Sequence, residues 1–313
     1  MDYNPRILQR RVSMDGYLDW GVQTVLWFQN QLAWLEEPAR WLSFLGTMEC
    51  FLLLVPIVYW CIDSKLGIRM GVLLVSAAAA GSLLKLAFHM PRPYWYDARV
   101  GALMPEPTYG MPSLHAIFAA VLWPWLGERA FRRPGLAAGL ILVALVALSR
   151  ILLGVHFPGD VAAGLLFGAL LWWLAMRGMD WIGPRLGGVS LGWQVAAAAA
   201  ASIALLLVQA AVLGLIAGAA DPSTWAVNAA RAGVFAPRDP TALVNMAGLF
   251  IGLGAGLACQ KRWAPFRADG PAANRAARFL FGMAGLILVW QGLDIVFPAN
   301  PPEIGFLFRY IRY

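Results

Sequence analysis

The sequence predicts an all-α polytopic transmembrane helix bundle, a five-span core followed by about three extra C-terminal spans. Three observations carry that expectation. Of 313 residues, 60% are hydrophobic and only 13% charged, with 15 Trp, which is more apolar surface than a soluble domain of this length hides. The apolar residues fall in eight runs, each near the roughly 20 residues that cross a bilayer. Lys and Arg gather in alternate connections between those runs.

Residues 1–19 are mostly polar, with Arg6, Arg10 and Arg11. Residues 20–40 mix Trp, Leu and Val with Gln23, Gln29, Asn30, Gln31, Glu36 and Glu37. They are too polar to span comfortably, so 1–41 reads as an N-terminal segment lying in the membrane interface. Spans follow at about 42–62, 66–89, 113–131, 134–153 and 157–178, which make the core, 42–178. A Gly/Pro-containing linker at 179–192 leads to spans at about 193–219, 241–260 and 277–298, the C-terminal extension 193–313. The alanine run Ala196 to Ala201 lets helix backbones approach closely, and a homo-oligomer through these spans is an expectation. The loop 221–240, with Trp225 and Arg231, reads as an amphipathic helix on the outer surface, over the site or on lipid. Asn245, Gln291 and Asp294 are polar positions in or beside the last spans. For Asp294, solvation at the interface is the simpler account.

The net charge of +7 sets topology rather than partners. No basic patch interleaves with exposed aromatics, so no nucleic-acid binding is expected. Setting aside Lys85, Arg92 and Arg150, one set of loops holds 12 cations, from Lys65 to Arg278. The opposite set holds 5: Arg99, Arg231, Arg238, Arg309 and Arg312. The richer set is expected to be cytoplasmic, although Arg6, Arg10, Arg11 and Arg40 then lie outside unless 20–40 crosses. The loops between spans two and three and between four and five face outward. With the Ala/Arg-rich composition, this suggests a bacterial inner membrane with the site on the periplasmic or extracellular side. Cys50, Cys61 and Cys259 lie in or beside apolar runs with no metal-ligand spacing, so they read as small core residues. No cleavable signal peptide is expected from the polar start.

Polar residues at fixed spacing interrupt the apolar core in three places. Ser149-Arg150 is followed by His156 and Asp160. An Arg that holds an anion, a His that attacks it and an Asp that fixes the imidazole tautomer have one joint use. Lys85 precedes Arg92 by seven residues, and Pro91 and Pro93 hold Arg92 in extended chain. Lys85 alone would read as a cation snorkelling to the interface. Three cations from separate segments near a membrane edge ask for an anionic partner. Pro112-Ser113-Leu114-His115 opens span three. Ser113 is a good N-cap, and the same helix N-terminus offers free N–H groups to phosphate.

These stretches together resemble the signature of the type 2 phosphatidic acid phosphatase superfamily: Lys-x6-Arg-Pro, Pro-Ser-Gly-His and Ser-Arg-x5-His-x3-Asp. The match covers Lys85, Arg92, Pro93, Pro112, Ser113, His115, Ser149, Arg150, His156 and Asp160, within roughly residues 42–178. Leu114 stands where the family has Gly. A right-handed first helical turn tolerates that change, since it needs no positive φ. The resemblance implies an integral membrane lipid phosphatase that hydrolyses a phosphomonoester or diphosphate through a phosphohistidine intermediate. Its lipid would be a polyprenyl diphosphate, a phosphatidate-like lipid or a sphingoid phosphate. The implied phosphate ligands are Lys85, Arg92, Ser113 and Arg150. The implied catalytic residues are His156 as nucleophile, Asp160 as its orienter and His115 as general acid.

A helix N-terminus and three cations favour neutral His115, so it is expected to be charged mainly with phosphate bound. His89 reads as a structural residue at a helix end. No cofactor and no metal are expected: Asp97 and Glu106 look isolated, and a two-metal site needs clustered carboxylates and histidines. Two other functions use the same residues. One is phosphotransfer from the histidine to a second lipid, and the other is a lipid transporter or phosphate-lipid binding protein.

Overall fold

The structure, a computed structural model, describes residues 5–297 and 302–313, with side chains from residue 15. Its helices are joined by loops, the longest at 97–113, and no strand occurs among the described residues. The helices are α1 (Pro5–Gln31), α2 (Glu36–Phe44), α3 (Met48–Ile57), α4 (Ser64–Phe88), α5 (Pro93–Tyr96), α6 (Leu114–Leu152), α7 (Pro158–Gly187), α8 (Leu191–Ile216), α9 (Ser223–Ala230), α10 (Thr241–Trp263), α11 (Ala272–Val296) and α12 (Pro302–Arg312). Among the described residues, 6 helices are long and apolar enough to cross a membrane. The chain is an all-α integral membrane protein.

Against the eight spans expected, length and composition give 6 span-length helices with α6 counted once, or up to 7 if the bent pair Ala33–Phe44 and Met48–Ile62 is one span. The run 42–62 is broken at residues 45–47, where Thr47 starts α3 afresh by accepting from Cys50 N at 3.3 Å. The two pieces meet at 46°. Pro56 lacks the N–H of its turn, and a wide turn at Val58–Ile62 follows it. The expected spans 113–131 and 134–153 run together in α6, with non-helical geometry only at Phe131 (φ −135°, ψ 16°) and Arg132 (φ 56°, ψ −137°). The chain doubles back there. Gly127 lies against the Gly135 carbonyl, and Gly139 against that of Trp123, leaving no room for a Cβ.

The chain forms two compact units. One comprises Met1–Gly46, Leu84–Gly168 and Ile216–Arg238, and it holds all three motifs. The other comprises Thr47–Leu83, Ala169–Leu215 and Asp239–Tyr313.

In the first unit, α1 is too polar to count as a span, but it is not only an interfacial helix. Leu18, Gly21, Val22 and Val25 recur at helical spacing and are buried. Gly21 packs on the Phe157 ring, where a Cβ would come within 2.5 Å. Gln29 donates to the Gly101 carbonyl at 2.7 Å and accepts from Gly101 N at 3.1 Å. The opposite side carries Trp20 and Trp27, and Trp34 and Trp41 continue the seven-residue spacing beyond α1; all four are more than half exposed, as suits a headgroup layer. A core of Ala119, Val143 and Val146, with Leu45, Trp123 and Leu165 against it, joins both halves of α6 to α7.

In the second unit, Ser202 donates to the Ala247 carbonyl at 2.7 Å and meets the Tyr310 hydroxyl at 2.8 Å. Gly248 and Gly252 lie against the C-terminal turn of α12. Asp294, expected to be solvated, instead pairs with Arg312, whose guanidinium also lies over Trp290. The Asn245 Oδ1 atom is buried without a hydrogen-bond partner.

Candidate active site

Each motif residue reaches the site from a helix end or the loop beside it. The last turn of α4 carries Lys85, and the chain leaves it through His89, whose φ of 53° ends the helix in the left-handed region. The extended Arg92 (φ −90°, ψ 158°) precedes α5, with Pro93 at its first position. Ser113 caps α6 by accepting from Ala116 N at 3.5 Å. Leu114 follows in ordinary right-handed helix, since His89 and Arg132 are the described non-glycine residues with positive φ. The loop from α6 to α7 carries His156, and Asp160 lies in the first turn of α7.

The polar residues so delivered converge. Lys85, Arg92, Ser113, Arg150, His156 and Asp160 are all buried, Arg92, Ser113, Arg150 and His156 completely. His156 Nδ1 lies 3.3 Å from Asp160 Oδ2, and its Nε2 lies 3.4 Å from Arg92 Nη1. Asp160 is itself fixed. The same Oδ2 accepts from Phe157 N at 2.9 Å, and its backbone carbonyl accepts from Ser113 N at 3.0 Å. Burial, and then the positive charge of Arg92, push the His156 imidazole well below its ordinary pKa. That shift favours the neutral ring, with Nε2 facing the donor-only guanidinium of Arg92.

The cations are held by carbonyls. Lys85 donates to the Tyr109 carbonyl at 2.6 Å. Arg92 donates to the carbonyls of Thr108 (2.6 Å), Val155 (3.0 Å) and Tyr109 (3.2 Å). Gly110 is the crossing point of this loop. A Cβ there would meet the Pro91 carbonyl at 2.6 Å and Asp160 Oδ2 at 2.9 Å.

Glu106 corrects the sequence reading, which set it aside as isolated. One carboxylate oxygen accepts from Arg92 Nη2 at 2.7 Å, and the other pairs with Arg150 Nη2. His115 Nδ1 is 3.7 Å from that second oxygen. Burial works to raise the Glu106 pKa, but Arg92 and Arg150, then His115 and Lys85, hold it well below the usual carboxylate range. Ser43, also unremarked in the sequence, accepts from Arg150 Nη1. Asp97 pairs with neighbouring Arg99. Among the described residues, no group of three or more His, Cys, Asp or Glu is placed to hold a metal.

The segment between α8 and α10 docks on the motif loop. Asp221 accepts from the Tyr109 hydroxyl at 3.0 Å and meets His89 Nε2 at 2.5 Å, and Arg238 donates to the Tyr109 hydroxyl at 3.1 Å. Burial chiefly, with Asp221 adding and Arg238 opposing, pushes the Tyr109 hydroxyl up to about 12. In α9, Asn228 donates to the Trp95 carbonyl at 3.0 Å, and Phe235 packs edge-on against Trp95. Of the two alternatives for this loop, cover for the site or rest on lipid, the contacts favour cover. His89, read as structural, is the partner of Asp221.

Comparison with known proteins agrees with this arrangement. The PAP2 superfamily pattern matches residues 66–184, and that of the PAP2 superfamily phosphatase transmembrane extension matches residues 244–313. Glucose-6-phosphatase 3 of Bos taurus is 27% identical over 96% of this chain and 92% of its own length. A probable sphingosine-1-phosphate phosphatase of Dictyostelium discoideum is 31% identical over 40% of this chain and 34% of its own. An undecaprenyl-diphosphatase of Sulfolobus acidocaldarius is 30% identical over 36% of this chain and 55% of its own. The chain belongs to the PAP2 superfamily, with its transmembrane extension, and is classed as a PAP2-type lipid phosphate phosphatase, a hydrolase.

Proposed function

We propose that this protein hydrolyses a terminal phosphomonoester or diphosphate of a membrane lipid through a phosphohistidine. One observation carries the reading: neutral His156 has one ring nitrogen facing Asp160 and the other beside a phosphate-binding cation, Arg92. Lys85, Arg92 and Arg150, with Ser113 and the amides at the start of α6, hold the phosphoryl oxygens. The His156 Nε2 lone pair attacks phosphorus, and the bond to the leaving oxygen breaks. His115 supplies the proton that the leaving group takes. Asp160 holds the proton of Nδ1 and stabilises the charge the ring acquires. Water then attacks the phosphohistidine, gives a proton back to His115 and releases inorganic phosphate with His156 regenerated.

The substrate is a polyprenyl diphosphate, a phosphatidate-like lipid or a sphingoid phosphate, presented to a site on the outer face of a bacterial inner membrane. The partition into a core at 42–178 and an extension at 193–313, with self-association through the extension, belongs to the same proposal. The likeness to glucose-6-phosphatase 3 along nearly the whole chain favours a second reading, a water-soluble sugar phosphate as substrate.

The test is phosphate release by purified protein in detergent with chelator present, across these lipids and glucose 6-phosphate, beside His156→Ala. Release that prefers a lipid and vanishes in the variant supports the first reading. A preference for glucose 6-phosphate supports the second. Release that survives His156→Ala contradicts both.

A further inference from the structure

A carboxylate already occupies the place where three buried cations would hold a phosphate. Glu106 spans Arg92 and Arg150 with one oxygen on each. Its backbone is pinned, since the Tyr94 hydroxyl donates to the Glu106 carbonyl at 2.7 Å and accepts from Glu106 N at 3.0 Å. Its side chain retains 25% exposure, whereas those of Arg92 and Arg150 have none. Rotation of one side chain therefore opens the seat without moving the loop. The occupancy is incomplete. Arg150 Nε and His115 Nδ1 are buried around this carboxylate without a hydrogen-bond partner, a cost that a fuller set of acceptors would remove.

We propose that Glu106 is a resident counter-ion which incoming phosphate displaces, and that the cost of displacing it sets a threshold which doubly charged terminal phosphates clear and the singly charged phosphodiesters of bulk membrane lipids do not. The proposal rests on the reading of Lys85, Arg92 and Arg150 as the phosphate seat, and it adds the determinant of substrate class. A carboxylate carries one charge on two oxygens. A phosphodiester offers the same, one charge on two free oxygens, so exchanging one for the other gains no charge and no acceptor. It also leaves Glu106 without its two guanidinium partners. A phosphomonoester or terminal diphosphate brings up to about two charges and three free oxygens. The extra oxygen reaches the donors the carboxylate leaves unpaired, and the extra charge engages Lys85 as well. In a bilayer, diesters vastly outnumber such substrates, and the resident carboxylate keeps the site from filling with them.

The test is equilibrium binding to the full-length protein in detergent, with no turnover involved. The probes are inorganic phosphate at alkaline pH, as the dianion, and dimethyl phosphate, as the singly charged diester. Wild type is expected to bind phosphate about tenfold or more tighter than dimethyl phosphate. Glu106→Gln is expected to tighten both probes by about tenfold, because every anion is spared the same displacement. Glu106→Asp, which keeps the charge on a shorter arm, tightens both by a smaller factor. Unchanged or weaker binding of both probes in Glu106→Gln overturns the proposal. Arg92→Ala separates this failure from that of the underlying reading. If it abolishes phosphate binding while Glu106→Gln leaves both affinities unchanged, the role of Glu106 alone is refuted. If it leaves phosphate binding intact, the phosphate seat itself is refuted, and the proposal with it.

Discussion

Asp160 Oδ2 lies 3.3 Å from His156 Nδ1 and at the same time accepts from Phe157 N at 2.9 Å. The carboxylate is thus fixed by the backbone of the loop that carries its histidine, and the imidazole inherits that fixity. Asp160→Asn keeps the shape and offers an amide in place of an acceptor, which favours the wrong tautomer. It is expected to lower kcat by about 10²–10⁴-fold with little change in KM, measured by steady-state phosphate release. A variant altered in KM alone would mean that Asp160 acts in binding.

Gly110 separates the Pro91 carbonyl from Asp160 Oδ2, with space for no side chain. Gly110→Ala is expected to destabilise the protein by about 1–3 kcal/mol through overpacking and to lower kcat as well, because Asp160 has to yield. Thermal unfolding and phosphate release read the two effects. Unchanged unfolding would mean that the loop moves freely.

His156 and Glu106 are each expected to withdraw stability as pH falls. His156 is held below its ordinary 6.5 and Glu106 below its ordinary 4.5, so the folded protein binds fewer protons than the unfolded chain below each value. The contribution of each of these two groups is therefore fully present above its ordinary value and falls as pH drops beneath it, by up to about 1.4 kcal/mol per pH unit. In denaturant titrations, His156→Gln is expected to flatten the slope between pH 6.5 and 5.5. A slope unaltered in that variant would place the proton uptake elsewhere.

Asp221 joins His89, Tyr109 and Arg238, and the backbone carbonyl of Tyr109 holds both Lys85 and Arg92. Asp221→Ala leaves three polar groups short of a partner and is expected to cost about 1–3 kcal/mol in unfolding. It is also expected to raise KM more than it lowers kcat, since it loosens Lys85 and Arg92 rather than His156. An equal fall in kcat and kcat/KM would contradict that order.

What the sequence made legible follows from how each feature is encoded. Lys85, Arg92, Ser113, His115, Arg150, His156 and Asp160 stand at fixed spacing against an apolar background, so their convergence could be expected. Helix ends were legible where a local signal marks them, as at Ser113. Glu106 was not, because its partners lie 14 and 44 residues away and nothing local distinguishes it from a loop carboxylate. Asp221 and Arg238 were hidden for the same reason, since their contacts join the 216–238 segment to a loop over 100 residues earlier. The break at 45–47 was missed because hydropathy runs straight through it. The one available clue was Gly46-Thr47, where Gly46 packs against Val146 and His115. The turn at Phe131–Arg132 was read correctly as a boundary from its cations, yet the two helices it joins run together without an intervening loop.

The central claim is that His156 carries the phosphoryl group during turnover. The direct measurement mixes enzyme with a radiolabelled terminal-phosphate lipid, quenches in base within milliseconds and maps any label by mass spectrometry. The account predicts base-stable, acid-labile label on His156, formed and lost at rates compatible with kcat and absent in His156→Ala. Phosphate release at the normal rate with no labelled enzyme, or label on another residue, would contradict it.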